Sequence, residues 1–254
     1  MIIRSMFTLI QEFSRATSLW TLSLGLICLL GPLFSPKASV ASENETDQKS
    51  TETVCGDIDA IVALVQRRYD GIEDLSAQFE QTSRSVVLAG SPNLGPAKSL
   101  GEVVLAKPGR MRWSYSEPDP SVVVSNGEVL WVYDVTGHQV TRVPVDQGYL
   151  SGAALHFLLG GGELSESFEI SSLGCEADGV QLELKPLSPS SYERLSMTVD
   201  TASGLVTATA IDDLFGNRTW VRFKALKVNQ SPKSEVFEFT VPKGVEVIDL
   251  SGPS

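Results

Sequence analysis

Residues 103–133 read Val103-Val-Leu-Ala-Lys-Pro-Gly-Arg-Met-Arg-Trp-Ser-Tyr-Ser-Glu-Pro-Asp-Pro-Ser-Val-Val-Val-Ser-Asn-Gly-Glu-Val-Leu-Trp-Val-Tyr133, and the spacing of their large side chains decides the fold. Val103, Leu105, Met111, Trp113 and Tyr115 all hold odd positions, whereas Arg110, Arg112 and Ser114 hold even ones. A period of two belongs to strands whose two faces meet different surroundings. Pro108-Gly109 breaks the run, and Asn126-Gly127 is the strongest short hairpin signal in the chain. Ser121 and Ser125 flank Val122-Val-Val124, which predicts that Val122 and Val124 face inward. The returning strand then sends Val129, Trp131 and Tyr133 one way and Glu128 and Asp134 the other.

The alternation extends in both directions. Upstream, Leu75, Ala77 and Phe79 alternate with Ser76, Gln78 and Glu80. Before them, Asp57 is placed to cap a helix whose stripe is Ile58, Ile61, Val62, Val65 and Tyr69, with Gly71 as its stop. Downstream, Tyr149 to Leu159 carries Leu150, Ala154, Phe157 and Leu158 at helical spacing and ends in Gly160-Gly-Gly162. Strands are then expected over 167–173, 180–185, 194–199, 205–211 and 219–227, with Phe237, Phe239, Val245 and Val247 in a final strand pair.

These elements predict a mainly β protein, an open antiparallel half-barrel of about ten or eleven strands lidded by a few helices. Residues 55–254 form its single domain. About ten strands with two amphipathic helices carry more apolar side chains than one layer covers. The sheet therefore curls, packs on itself, or leaves an apolar concavity. Periodicity alone leaves open the choice between a lipid-binding hollow and a filled barrel.

Residues 1–41 read as a secretory signal peptide. Arg4 and Arg15 precede an uncharged run whose apolar centre, Leu19 to Leu30, covers about 18 Å as a helix, and small residues follow in Ala38-Ser-Val-Ala41. A retained membrane anchor is the competing reading. Residues 42–54 are polar and predict a disordered leader. An exported chain keeps two cysteines, Cys55 and Cys175, which an oxidising compartment could bridge; two buried thiols are the other reading.

Composition excludes several functions. The net charge of −11 over 254 residues argues against nucleic acid as a partner, because phosphate binding needs clustered Lys and Arg. Two histidines, His138 and His156, and three cysteines cannot build a multi-ligand metal centre. No phosphate loop, dinucleotide fingerprint or nucleophile elbow is present. The chain is thus expected to need no cofactor and to be no enzyme.

From Leu75 to Leu250 the chain resembles the LolA-type periplasmic carriers of outer-membrane lipoproteins. The resemblance is carried by Leu75-Ser-Ala-Gln-Phe-Glu-Gln81, by Gly101 to Tyr115 with Lys-Pro-Gly-Arg-Met-Arg-Trp, and by Pro118 to Asp134. Asp213 to Phe223 and Phe237 to Ile248 add closing segments. It implies an apolar hollow for acyl chains, lined here by Phe79, Val103, Leu105, Met111, Trp113, Tyr115, Val122, Val124, Trp131 and Tyr133. Ile61, Val65, Leu150, Ala154 and Phe157 would form the lid underside. Family members carry a lid-holding arginine just before the strand-breaking proline, where this chain has Lys107, a point charge without the planar fork. The resemblance also implies a monomeric periplasmic shuttle, loaded by an inner-membrane ABC lipoprotein-release complex and unloaded to an outer-membrane acceptor lipoprotein. A carrier or sensor of another envelope lipid, such as a glycolipid, is the alternative, since an apolar hollow does not encode a headgroup.

Overall fold

The computed structural model of the chain describes residues 56–86, 96–145, 162–177 and 179–250. The expected signal segment (1–41), the leader (42–54), Cys55 and the helix over 149–159, with Leu150, Ala154, His156 and Phe157, lie outside the described residues.

Helix α1 (Ile58–Asp70) begins where Asp57 caps it, the carboxylate accepting the Asp59 N–H at 3.1 Å, and stops at Gly71. Ile61, Val65 and Tyr69 are its buried stripe. One sheet follows: β1 (Asp74–Arg84), β2 (Ala97–Ala106), β3 (Arg110–Glu117), β4 (Ser121–Asn126), β5 (Val129–Asp134), β6 (Gln139–Pro144), β7 (Phe168–Glu176), β8 (Gly179–Pro186), β9 (Tyr192–Val199), β10 (Val206–Asp213), β11 (Arg218–Val228) and β12 (Glu246–Asp249). A single helical turn, α2 (Leu164–Ser167), precedes β7, and a 3-10 turn spans Ser234–Phe237.

The strand order is β12-β6-β5-β4-β3-β2-β1-β11-β10-β9-β8-β7, so the sheet is open, with β12 and β7 at its edges. Two antiparallel meanders, β1–β6 and β7–β11, meet where β1 pairs with β11 across some 140 residues of sequence. Asp74 secures that seam: its two carboxylate oxygens accept the N–H groups of Gln230 and Ser231 at 2.8 and 2.9 Å. The expected C-terminal strand pair is not formed. Phe237 ends a 3-10 turn instead, and β12 adds in parallel to β6.

The register defines the two faces, because directly paired residues share a side. One face, called inner here, carries α1. Ile61, Val65 and Tyr69 form one core with Leu75, Val103 and Leu105 of the first meander and with Val180, Val199 and Val206 of the second. Tyr69 anchors the helix to the second meander, its hydroxyl accepting the Val206 N–H at 3.2 Å. Burial pushes the Tyr69 pKa up to about 12, against the opposing pull of that hydrogen bond. The folded protein therefore keeps a proton that the unfolded chain releases near pH 10. The stability contributed by the neutral phenol is complete below about pH 10 and is lost as pH rises toward 12, a change of roughly 2–3 kcal/mol. Urea titrations over that range should show a flatter alkaline limb for Tyr69→Phe than for the wild type; identical limbs would remove Tyr69 as the source.

Candidate functional site

Three rungs of paired residues build the inner face of the first meander. The first runs Leu75, Leu105, Met111, Ser125, Leu130, Val143, and the second Ala77, Val103, Trp113, Val123, Val132, Thr141. The third is more polar: Phe79, Gly101, Tyr115, Ser121, Asp134, Gln139. Gly101 leaves room above itself for the Phe79 ring, which packs 4.8 Å from Trp113 and edge-on to Tyr115 at 5.1 Å, with Phe223 of β11 edge-on to Trp113 at 6.3 Å. Phe79, Val103, Leu105, Met111, Trp113 and Tyr115 are thus brought together on one surface under α1.

Val122, Val124, Trp131 and Tyr133 are not. Val124 pairs with Arg112 and Trp131, and Val122 with Ser114 and Tyr133, so all four face outward. The inward neighbours are Val123, Leu130 and Val132, each buried in the core. Ser121 and Ser125 turn inward as well. Ser125 has a local reason to do so: its hydroxyl donates to the Gly109 carbonyl and accepts the Gly127 N–H, both at 3.1 Å, which ties the β2–β3 turn to the β4–β5 hairpin. A shift of one position exchanges the faces of a whole strand.

The outward aromatics have their own cover. Phe239 lies 6.2 Å from the Trp131 ring and 5.8 Å from that of Tyr133. Phe237 is buried under the Arg110 guanidinium, 5.1 Å from the ring centroid, and Arg112 donates to the Val236 carbonyl at 3.2 Å. Across β1, β2 and β11 the outer face is instead solvated and charged. There Lys98 and Lys224 flank Glu80 at 2.9 and 3.3 Å and hold its carboxyl below the ordinary range.

Lys107 joins the helix to the sheet. Its ammonium donates to the Tyr69 carbonyl at 2.7 Å, in the last turn of α1, where orphan carbonyls and the helix dipole both favour a cation. Its own backbone N–H donates to Glu73 at 2.9 Å. A small pocket opens between this lysine, Tyr69, Ile72, Leu75 and Leu105. A single ammonium contact to one carbonyl is a weaker hold than a bidentate fork would give.

Polar groups also enter the inner face. Tyr115 donates to the Gln81 amide oxygen at 3.0 Å, and the Gln81 amide nitrogen is 3.4 Å from the Ser83 hydroxyl. Burial raises the Tyr115 pKa. The neighbouring Trp113 Nε1 is buried beside the Tyr115 hydroxyl, without a hydrogen bond of good geometry. Cys175, also on this face, is disulfide-bonded; its expected partner Cys55 lies outside the described residues. His138 sits exposed in the β5–β6 turn at φ 49°, its carbonyl accepting the Glu246 N–H. Among the described residues no three His, Cys, Asp or Glu side chains gather to hold a metal ion.

Residues 70–240 match the family model described as outer membrane lipoprotein carrier protein LolA. The chain belongs to the LolA family. An outer-membrane lipoprotein carrier protein of Azotobacter vinelandii is 34% identical over 220 residues, covering 85% of this chain and 96% of that one. Its counterpart in Cupriavidus pinatubonensis is 33% identical over 175 residues, covering 68% and 81%. Among solved structures, a LolA superfamily protein from Nitrosomonas europaea aligns with 71% of this chain and 97% of its own at a TM-score of 0.39 and 14% identity. The LolA family model starts at the last residue of α1 and ends before β12, so it spans β1 to β11 and the Phe237–Phe239 cover.

Proposed function

We propose that this protein is a periplasmic carrier that shields lipoprotein acyl chains on its inner face and shuttles them from the inner to the outer membrane. The observation that carries this reading is an open sheet whose inner face stacks aliphatic and aromatic rungs beneath a helix tied to β2 by Lys107. Exposing a sixteen-carbon chain to water costs about 12 kcal/mol at about 0.8 kcal/mol per CH₂, so a triacylated protein cannot cross an aqueous compartment unshielded. Ile61 and Val65 fill the inner face when no guest is present, and lifting α1 exposes it. Transfer needs no bond chemistry: a guest moves to whichever apolar site binds it better. Loading by an inner-membrane ABC lipoprotein-release complex and delivery to an outer-membrane acceptor lipoprotein complete the route.

Lys107 latches the lid in this scheme. Mixed with vesicles holding a triacylated lipopeptide, the wild-type protein should bring lipopeptide into the soluble fraction as a complex resolved by native mass spectrometry. Lys107→Ala should exchange it roughly ten-fold faster, the value of about 1.4 kcal/mol for one charged hydrogen bond, and Lys107→Arg should restore slow exchange. A wild-type protein that leaves all lipopeptide in the vesicles ends the carrier proposal, whereas equal exchange rates end only the latch.

A further inference from the structure

The inner face is graded along the strands, and this grading orients the guest. Toward one end lies the aliphatic rung of Leu75, Leu105 and Met111, against α1. Four residues on, about 13 Å at the rise of a strand, Tyr115 and Gln81 form a hydrogen-bonded pair. One step further Ser83 and Thr219 hydroxyls meet at 3.3 Å. At that end Ile211, which pairs with Thr219 on the same face, is 39% exposed.

The polar rung has donors to spare. Trp113 Nε1 is buried beside the Tyr115 hydroxyl without a well-formed hydrogen bond, and the Gln81 amide has only the 3.4 Å contact to Ser83 for its two N–H bonds. Leaving donors unpaired beside an apolar surface costs free energy, and a partner that only accepts removes the cost. These side chains offer neutral N–H donors, which an acceptor such as a carbonyl oxygen satisfies and an ammonium does not.

Building on the carrier reading, we propose that Gln81, Tyr115 and Trp113 Nε1 form a subsite for the ester and amide carbonyls at the head of an acylated guest. The tails run from there toward Leu105 and Met111, and the head lies toward the exposed Ile211. Such carbonyls occur both in an acylated N-terminal cysteine and in a phospholipid; the subsite reads the shared chemistry.

The test compares three probes: a triacylated lipopeptide, phosphatidylglycerol, and a fluorescent alkane without carbonyls. Tyr115→Phe removes the hydroxyl that orients Gln81, and Gln81→Leu removes the amide. Each should weaken lipopeptide binding about ten-fold, one good hydrogen bond, while alkane binding stays within two-fold, which also reports an intact inner face. Equal weakening of phosphatidylglycerol shows that any diacylglyceryl head is read; phosphatidylglycerol bound poorly by the wild type shows that the acylated cysteine is the source. Both outcomes support the subsite. Lipopeptide and alkane affinities that fall together, or that do not fall, overturn it while leaving the carrier reading intact. A folded wild type that binds the alkane but not the lipopeptide overturns both.

Discussion

Gly101→Val is expected to abolish cooperative folding, and Gly101→Ala to cost about 3 kcal/mol, the upper end of overpacking effects. The reason is a backbone conflict. A Cβ built on Gly101 collides with the Ser114 carbonyl oxygen of β3 and lies 2.6 Å from Phe79 Cζ and 2.7 Å from Cε1. The ring could swing away; the carbonyl belongs to the β2–β3 ladder and cannot move without opening it. Domains of this size hold roughly 5–15 kcal/mol in total, so the valine variant loses most of that margin. Urea unfolding followed by near-ultraviolet circular dichroism measures this, since the Phe79–Trp113–Tyr115 cluster supplies the signal. Gly71→Ala is the control: its Cβ would meet only ordinary contacts at 3.8 Å, and its φ of −85° suits any residue, so a shift within about 0.5 kcal/mol is expected. Similar losses for the two alanine variants would refute the close-approach argument.

Phe237→Ala is expected to destabilise the protein by about 3–5 kcal/mol, the range for emptying a buried aromatic site. Phe237 is 1% exposed and covers the outer face of β3 and β4, held by the Arg110 guanidinium and by the Arg112 hydrogen bond to its neighbour. Its loss also frees Phe239 from Trp131 and Tyr133. The effect should appear as a lowered urea midpoint with a red-shifted Trp131 emission, isolated by comparison with Trp131→Phe. Guest binding by the folded fraction should be unchanged, because this layer lies on the other side of the sheet from α1. A loss under 1 kcal/mol would mean that the outer cover is ornamental to stability.

Local signals in the sequence were dependable where one residue type has one physical role. Asp57 and Gly71 bound α1 as expected, and Gly127 takes the positive φ of 97° that its hairpin requires. Phe79, Val103, Leu105, Met111, Trp113 and Tyr115 share a face because small or charged residues occupy the alternate positions. Across 122–124 and 129–133 both parities are apolar, so periodicity carries no information about which side is inward. At 122–124 the flanking serines point to the wrong parity, because Ser121 and Ser125 themselves turn inward, and at 129–133 the larger side chains do so. The signal that resolves it is distant: Phe237-Glu-Phe239 repeats the spacing of Trp131-Val-Tyr133, and two late aromatics with no strand partner must cover something. The β1–β11 seam and the Asp74 clamp are likewise illegible, since pairing at such separation depends on the whole sheet. Phe223 became part of the site only through that seam. Lys107 stands out only through the family resemblance, and its acceptor, the Tyr69 carbonyl, cannot be named from side-chain types.

The central claim is that acyl chains lie on the inner face and nowhere else. Photo-cross-linking of a lipopeptide whose acyl chains carry terminal diazirines, mapped residue by residue with mass spectrometry, tests it most directly. Labels on Leu105, Met111, Val123 or Val132 are the predicted outcome; labels on Val122, Val124, Trp131 or the exposed charged surface would contradict it.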